Sequence, residues 1–212
     1  MTKSKVYAVL TGDLVASSHI PANEYDALLY ALDQTLRYLC RKNAGQYNVY
    51  RGDAFQLLLN KPQDWAYSAI LLRLAMRSQQ QDCRLSVGIG TISNPRPDVK
   101  SATGEAFTLS GTGLDSLPQG LRMNAQSTEE DFNWHMGITL RQTDALISQM
   151  TVRQAQALQE YLLLEDKSHL AVAKRLHTSR VNATKLLNQG HYDLLMQVIL
   201  YSEQLTDRYF HG

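Results

Sequence analysis

A chain of 212 residues, 44% hydrophobic and 19% charged, has the composition of an ordinary globular protein and excludes collagen-like, disordered and coiled-coil classes. Its formal charge of +1, from 21 basic and 20 acidic side chains, excludes a globally basic nucleic-acid coat, so any contact with DNA or nucleotide must be local. Two cysteines, Cys40 and Cys83, with no Cys/His spacing of the zinc type exclude a disulfide scaffold or a zinc knot and fit a reducing cytoplasm.

Val6 to Leu10 is a short β-prone run closed by Thr11-Gly12-Asp13, which predicts a buried strand that delivers Asp13 to a loop. That closure comes too soon for a signal peptide. No later run approaches the ~18 apolar residues of a membrane span, so a cytoplasmic chain with no membrane partner is expected. After Pro21, the positions Tyr25, Leu28, Leu29, Leu32, Leu36, Leu39 and Cys40 recur at helical spacing and predict an amphipathic helix to about Lys42, ended by Asn43-Ala44-Gly45.

Gln46 to Arg51 and Ala54 to Leu59 read as two strands joined at Gly52-Asp53, a hairpin with Asp53 at its tip. A second helix follows from about Gln63 to Gln79, and Arg84 to Ile92 reads as another strand. The order strand, helix, hairpin, helix, strand suits a four-stranded antiparallel sheet with two helices on one face, the ferredoxin-like arrangement of an α+β fold. A loop from Ser93 to Thr103 then leads into a glycine-bearing segment, Ser110 to Asp115, which enters a further helix.

From Leu140 onward the periodicity is helical, which divides the chain into 1–135 and an all-α part, 136–212. Thr151-Val152-Arg153-Gln154 has the form of a capping box. Ser168 to Leu176 and Ser179 to Leu187 read as short helices around His177-Thr178, a helix-turn-helix, and Tyr192 to about Leu205 as a closing helix. Trp65, Trp134 and Met150 are assigned to the core, His169 and His177 to the surface.

The first chemistry to consider lies at Asp13 and Asp53. A strand end and a neighbouring hairpin tip can lie side by side, and two carboxylates there make a hard oxygen site suited to Mg²⁺ and a triphosphate. The residues alone also allow both to be turn formers next to glycine.

Val9-Leu10-Thr11-Gly12-Asp13-Leu14-Val15-Ala16-Ser17-Ser18 resembles the first strand of class III nucleotidyl cyclase catalytic domains, and Tyr50-Arg51-Gly52-Asp53-Ala54-Phe55 resembles their metal-binding hairpin. The likeness spans about Lys5 to Asn124, with Val87-Gly88-Ile89-Gly90 and Gly111-Thr112-Gly113-Leu114-Asp115 similar to a later strand and helix start. It implies Asp13 and Asp53 as metal ligands, Leu14 as donor of a main-chain carbonyl, and a nucleotide with Mg²⁺ as cofactor. The chain departs from the family where a base-selecting lysine is expected: the stretch around Val49 is apolar. The Asn and Arg of the later helix fall near Asp115 and Gln119, a loss of charge worth on the order of 10³-fold in rate. Arg51 and Arg122 are the cations left to replace them.

Taken whole, with Gly104-Glu105-Ala106-Phe107, Ser110-Gly111 and the C-terminal helices, the chain is similar to the SatD family of bacterial cytoplasmic proteins over nearly its full length. On that likeness Glu105 and Asp115 join Arg51 as nucleotide-site residues, each acid also being readable as a solvated loop acid or a helix-terminal acid.

Leu170 to Leu187 resembles the sigma-like helix-turn-helix of bacterial regulators. Ala173 is small where two helices pack closely, Leu176 and Val181 are expected to face the shared core, and Ser179 caps the second helix. Ser179, Arg180, Asn182, Thr184 and Lys185 are then the residues offered to DNA. Acids nearly balance the bases in this part, so binding requires a homodimer with two half-sites. The leading expectation is a regulator that couples a nucleotide- or Mg²⁺-binding domain to a DNA-binding helix-turn-helix. Two others stay open: a phosphoryl- or nucleotidyl-transfer enzyme acting on a nucleoside triphosphate, its C-terminal helices serving dimerisation, and a protein-interaction module.

Overall fold

A computed structural model describes residues 5–16, 20–50, 52–93 and 102–210. Strand β1 (Tyr7–Leu14) is followed by helix α1 (Ala22–Asn43), the hairpin β2 (Gln46–Tyr50) and β3 (Ala54–Leu59), helix α2 (Trp65–Arg77) and strand β4 (Cys83–Gly90). Helix α3 (Glu105–Asp115) and strand β5 (Met123–Gln126) come next. Helices α4 (Glu130–Gln149), α5 (Val152–Leu163), α6 (His169–Arg175), α7 (Arg180–Gln189) and α8 (Tyr192–Phe210) complete the chain.

The sheet runs in the order β2-β3-β1-β4-β5. Neighbours are antiparallel except β4 and β5, which are parallel. The expectation of four antiparallel strands is therefore corrected by β5, whose four residues are too few for alternation to stand out from a loop. The hairpin turns at Gly52, whose φ of +84° lies in the left-handed region that a side chain disfavours.

Strand alternation gives the sheet two different faces. Ala8, Leu10 and Leu14 of β1, Phe55, Leu57 and Leu59 of β3, and Leu85, Val87 and Ile89 of β4 point into the main core, against α1 and α2. The intervening residues point the other way, where Val9, Leu58 and Ala106 form a smaller cluster beneath α3. Helix α3 lies over β1, β4 and β5. Both faces of β4 are thus covered, and its side chains are buried almost without interruption. The expected two helices on one face are joined by a third on the other.

The main core continues into the C-terminal helices. Trp65 is buried and donates its indole N–H to Thr206 of α8 at 3.0 Å, while Phe132 of α4 packs edge-on against Trp65, Tyr209 and Phe210. Tyr67 of α2 donates to the Leu162 carbonyl of α5 at 3.0 Å. Helix α4 runs without a break across residues 135 and 136, where the sequence suggested a division. Met150 is buried as expected. Trp134 is not: it stands on the outer side of α4 with 72% of its surface exposed, a correction to its assignment to the core.

Candidate functional site

Asp13 ends the β1 pairing with β3 opposite Ala54, and the next residue, Leu14, donates its backbone N–H to the Asp53 carbonyl at 3.0 Å. The strand end and the hairpin tip are therefore joined main chain to main chain, which brings the two aspartates to one edge of the sheet. Arg51 lies outside the described residues.

On the other side of β1, Asp13 stands opposite Arg84 of β4. The guanidinium grips the carboxylate with two hydrogen bonds, Nε to Oδ1 at 2.9 Å and Nη2 to Oδ2 at 2.5 Å. Such a forked pair is the strongest arrangement an arginine and a carboxylate adopt. The hydrogen bonds to Asp13 raise the Arg84 pKa above its ordinary value; partial burial works against them, and the charges of Asp13 and then Asp115 add to the rise. The side chains are 41% and 25% exposed, so the pair is reachable from water.

Arg84 was missed in the sequence, where Arg51 and Arg122 were the cations considered. A signal existed: in a strand-helix-hairpin-helix-strand sheet the last strand pairs antiparallel with the first, so the residue that opens it meets the residue that ends β1.

Asp115, at the end of α3, is an electrostatic neighbour of Arg84 and belongs to this edge. Glu105 does not. Its carboxylate accepts the Thr91 N–H at 3.0 Å and packs on Gly90, and Gly90 pairs with Tyr7 at the opposite end of β1 from Asp13. The arrangement of the two acids follows from α3 running along the sheet, its first residue at one end and its last at the other.

Between them a polar relay crosses the same face. Tyr50 donates to Gln56 Oε1 at 3.2 Å, and Gln56 Nε2 to Thr11 Oγ1 at 3.1 Å. Thr11 lies 2.8 Å from Ser110 Oγ, and Ser110 in turn donates to the Phe107 carbonyl at 3.0 Å. Since the Ser110 proton is used on Phe107, Thr11 is the donor to Ser110.

Asp13, Asp53 and the Leu14 carbonyl are hard oxygen donors of the kind Mg²⁺ takes. Both oxygens of Asp13 are held by Arg84, so the positive charge this carboxylate requires is already supplied from within the chain. Among the described residues no group of three or more His, Cys, Asp or Glu is placed to hold a metal ion.

The second cluster of interest is formed by α6 and α7. Ser168 accepts the Ala171 N–H and Ser179 the Asn182 N–H, both at 3.1 Å, so each helix starts on a serine cap. His177 turns the chain between them with φ of 49°. Ala173, Ala183 and Leu187 are buried at the contact. Arg180, Asn182 and Lys185 are exposed on α7, and Ser179 is exposed at its start.

Two placements differ from expectation here, those of Val181 and His169. Val181 is 80% exposed and does not face the shared core, because Ala183 and Leu187, one turn apart, take the inward positions of this short helix. Thr184 is turned toward α6, where its hydroxyl meets His169 Nδ1 at 2.9 Å; His169 is accordingly half-buried, with its ring edge-on to Tyr192.

No protein-family model matches the chain, and no curated protein matches it. Among solved structures, it is similar to the catalytic core of a rhodopsin-guanylyl cyclase with converted specificity in complex with ATPαS, at 15% identity and a TM-score of 0.43, over 64% of this chain and 84% of that one. It is also similar to the adenylyl cyclase CyaB from P. aeruginosa, at 16% identity and a TM-score of 0.40, over 60% of this chain and 79% of that one. For the guanylyl cyclase Cya2 the values are 20% and 0.40, over 57% and 74%.

Proposed function

We propose that this chain is a bacterial cytoplasmic regulator, akin to the SatD family, in which a ferredoxin-like, cyclase-related sheet binds a nucleotide and α7 binds DNA. The observation that carries the first half is the juncture of Asp13 with the Asp53 hairpin tip and with Arg84. Asp13, Asp53 and the Leu14 carbonyl would hold Mg²⁺, which supplies charge neutralisation for a polyphosphate. Arg84, released from Asp13, is then a cation available to phosphate oxygens. Asp115 adds a weaker attraction on it from the end of α3. This assigns to Arg84 the part that the sequence left to Arg51 and Arg122, and leaves Glu105 to anchor α3 on β4.

The second half rests on the two serine-capped helices and the exposure of Arg180, Asn182 and Lys185. One such helix per subunit carries few phosphate contacts, so the DNA-binding form is a homodimer with paired half-sites. The division into 1–135 and 136–212 is kept as one of tasks, nucleotide for the first part and DNA for the second.

Equilibrium titration with ATP and Mn²⁺, alongside analysis of reaction products, tests the sheet site. Saturable binding weakened about tenfold in Asp13→Asn and Asp53→Asn supports it; no binding, or binding indifferent to both substitutions, rejects it. Formation of a cyclic nucleotide or another phosphoryl-transfer product would favour the enzyme instead. For the DNA half, a salt-dependent shift of the chain's own promoter DNA that survives Arg180→Ala with Lys185→Ala rules out α7 as the contact.

A further inference from the structure

Two hollows lie side by side between α1 and the C-terminal helices, away from the Asp13 edge. One, of about 720 Å³, is bounded by α1, Leu71 of α2, and Gln159, Leu163 and Arg175 of α5 and α6. The other, of about 620 Å³, is bounded by the end of α1, Tyr67, the α5 terminus with Lys167, and Met196 of α8. They share Tyr38, Arg41 and Leu163 as a common wall and so form one groove. Volumes of this order accommodate a molecule the size of a mononucleotide.

The lining is unequal in charge. Arg41, Lys42 and Lys167 converge on the second hollow, with Glu165 as the acid among its lining residues. Lys42 lies over the Tyr67 ring, 5.1 Å from its centroid. Lys167 donates to the carbonyls of Tyr161 and Leu162, at 2.7 and 2.9 Å, and lies over the Tyr161 ring, 5.4 Å from its centroid, which fixes its charge beside the hollow. Desolvation first, and then repulsion from Lys42, lower the Lys167 pKa, as when two cations share a site without an anion between them. Arg175, in the first hollow, is held by Glu160 at 2.9 Å and is not counted with these three.

The first hollow is instead aromatic and amide in character. Tyr30, Gln34 and Tyr38 succeed one another at four-residue steps along α1 and so line one stripe of it. Tyr30 is 68% exposed, an open ring with the small residues Ala27 and Ala31 beside it.

We propose that this groove binds a phosphorylated heterocycle of nucleoside monophosphate size, its phosphate on Arg41, Lys42 and Lys167 and its ring along Tyr30 and Tyr38. The site is separate from the Asp13 edge and uses no metal. A ligand there touches α1, which packs on the sheet, and α5 and α6, the latter the first helix of the helix-turn-helix pair, so the groove lies where the sheet layer meets the C-terminal helices.

Calorimetric titration in EDTA tests it, with AMP, inorganic phosphate and adenosine as probes. Wild type is expected to bind AMP saturably, and phosphate or adenosine at least about tenfold more weakly. Arg41→Gln with Lys42→Gln, both exposed side chains, is expected to lose about tenfold or more in AMP affinity, as is Tyr30→Ala, each with an unchanged thermal midpoint. Asp13→Asn should bind AMP like wild type. The proposal falls if AMP does not bind without metal, if phosphate alone binds as tightly as AMP, if the groove substitutions leave affinity unchanged, or if Asp13→Asn abolishes it.

Discussion

Arg73 and Asp144, 71 residues apart in sequence, form an ion pair that locks α2 to α4 with the arginine side chain wholly out of solvent. Asp82 completes the clasp, accepting from Arg73 Nε at 2.7 Å and Nη2 at 2.9 Å, and Ser148 takes a further bond at 3.1 Å. Burial by itself lowers the Arg73 pKa; attraction from Asp82 and then Asp144 outweighs it, so the side chain is held charged. Asp144 also accepts the Arg122 N–H at 3.0 Å, at the approach to β5.

Removing Asp144 leaves Arg73 paired with Asp82 but takes the acceptor from Arg73 Nη1 and from the Arg122 N–H. Asp144→Ala is expected to lower unfolding free energy by about 2–3 kcal/mol. Urea denaturation followed by far-UV circular dichroism measures it, and a change under about 1 kcal/mol contradicts the role given to this pair.

The Asp13–Arg84 pair behaves differently because water reaches it. Arg84→Gln is expected to change stability by about 1 kcal/mol or less while weakening nucleotide binding several-fold. Denaturation and nucleotide titration of the same preparation separate the two effects; a large stability loss with intact binding would make Arg84 a structural residue only.

Helix α3 can approach the sheet only over glycine. A methyl group at Gly88 would sit 2.2 Å from the Ala106 carbonyl oxygen and 2.5 Å from the Ser110 nitrogen, so Gly88→Ala must lift the helix. A loss of about 1–3 kcal/mol is expected. Gly111, on the same helix, has open space around it, and Gly111→Ala should raise stability by up to about 1 kcal/mol. Opposite signs in thermal melts check this packing.

Burial pushes the thiols of both cysteines up, strongly for Cys83, while nearby Arg41 only partly offsets the effect for Cys40. A raised thiol pKa means less thiolate at a given pH, so the folded protein at pH 8 is expected to react slowly with iodoacetamide at Cys40 and not measurably at Cys83. Raising the pH accelerates Cys40 first. Peptide mapping reads the order, and prompt labelling of Cys83 in native buffer would contradict its placement.

How much of this was legible in the sequence depends on the range of the interactions. Helix α1, the Gly52-Asp53 hairpin and the Thr151 capping box follow from spacings of a few residues, and all three stand in the structure close to where they were expected. Strand β5 escaped because it is short and gains its place by pairing with β4. Trp134 and Val181 were misjudged because apolar character was read as burial, which holds only in one direction. Arg84 and Arg73 could not be singled out by type; their partners come from strands or helices 71 residues away, and register alone selects them.

The bond from Trp65 to Thr206 spans 141 residues of chain. During synthesis, α2 leaves the ribosome long before α8 exists to cover its tryptophan, and domains emerge at only about 5–20 residues per second. The sheet layer therefore waits, with a large aromatic surface unsealed, until the last helix arrives to close it. Helices α5 and α8 both pack on α2, so the proposed groove beside α5 borders the same layer that the last helix closes.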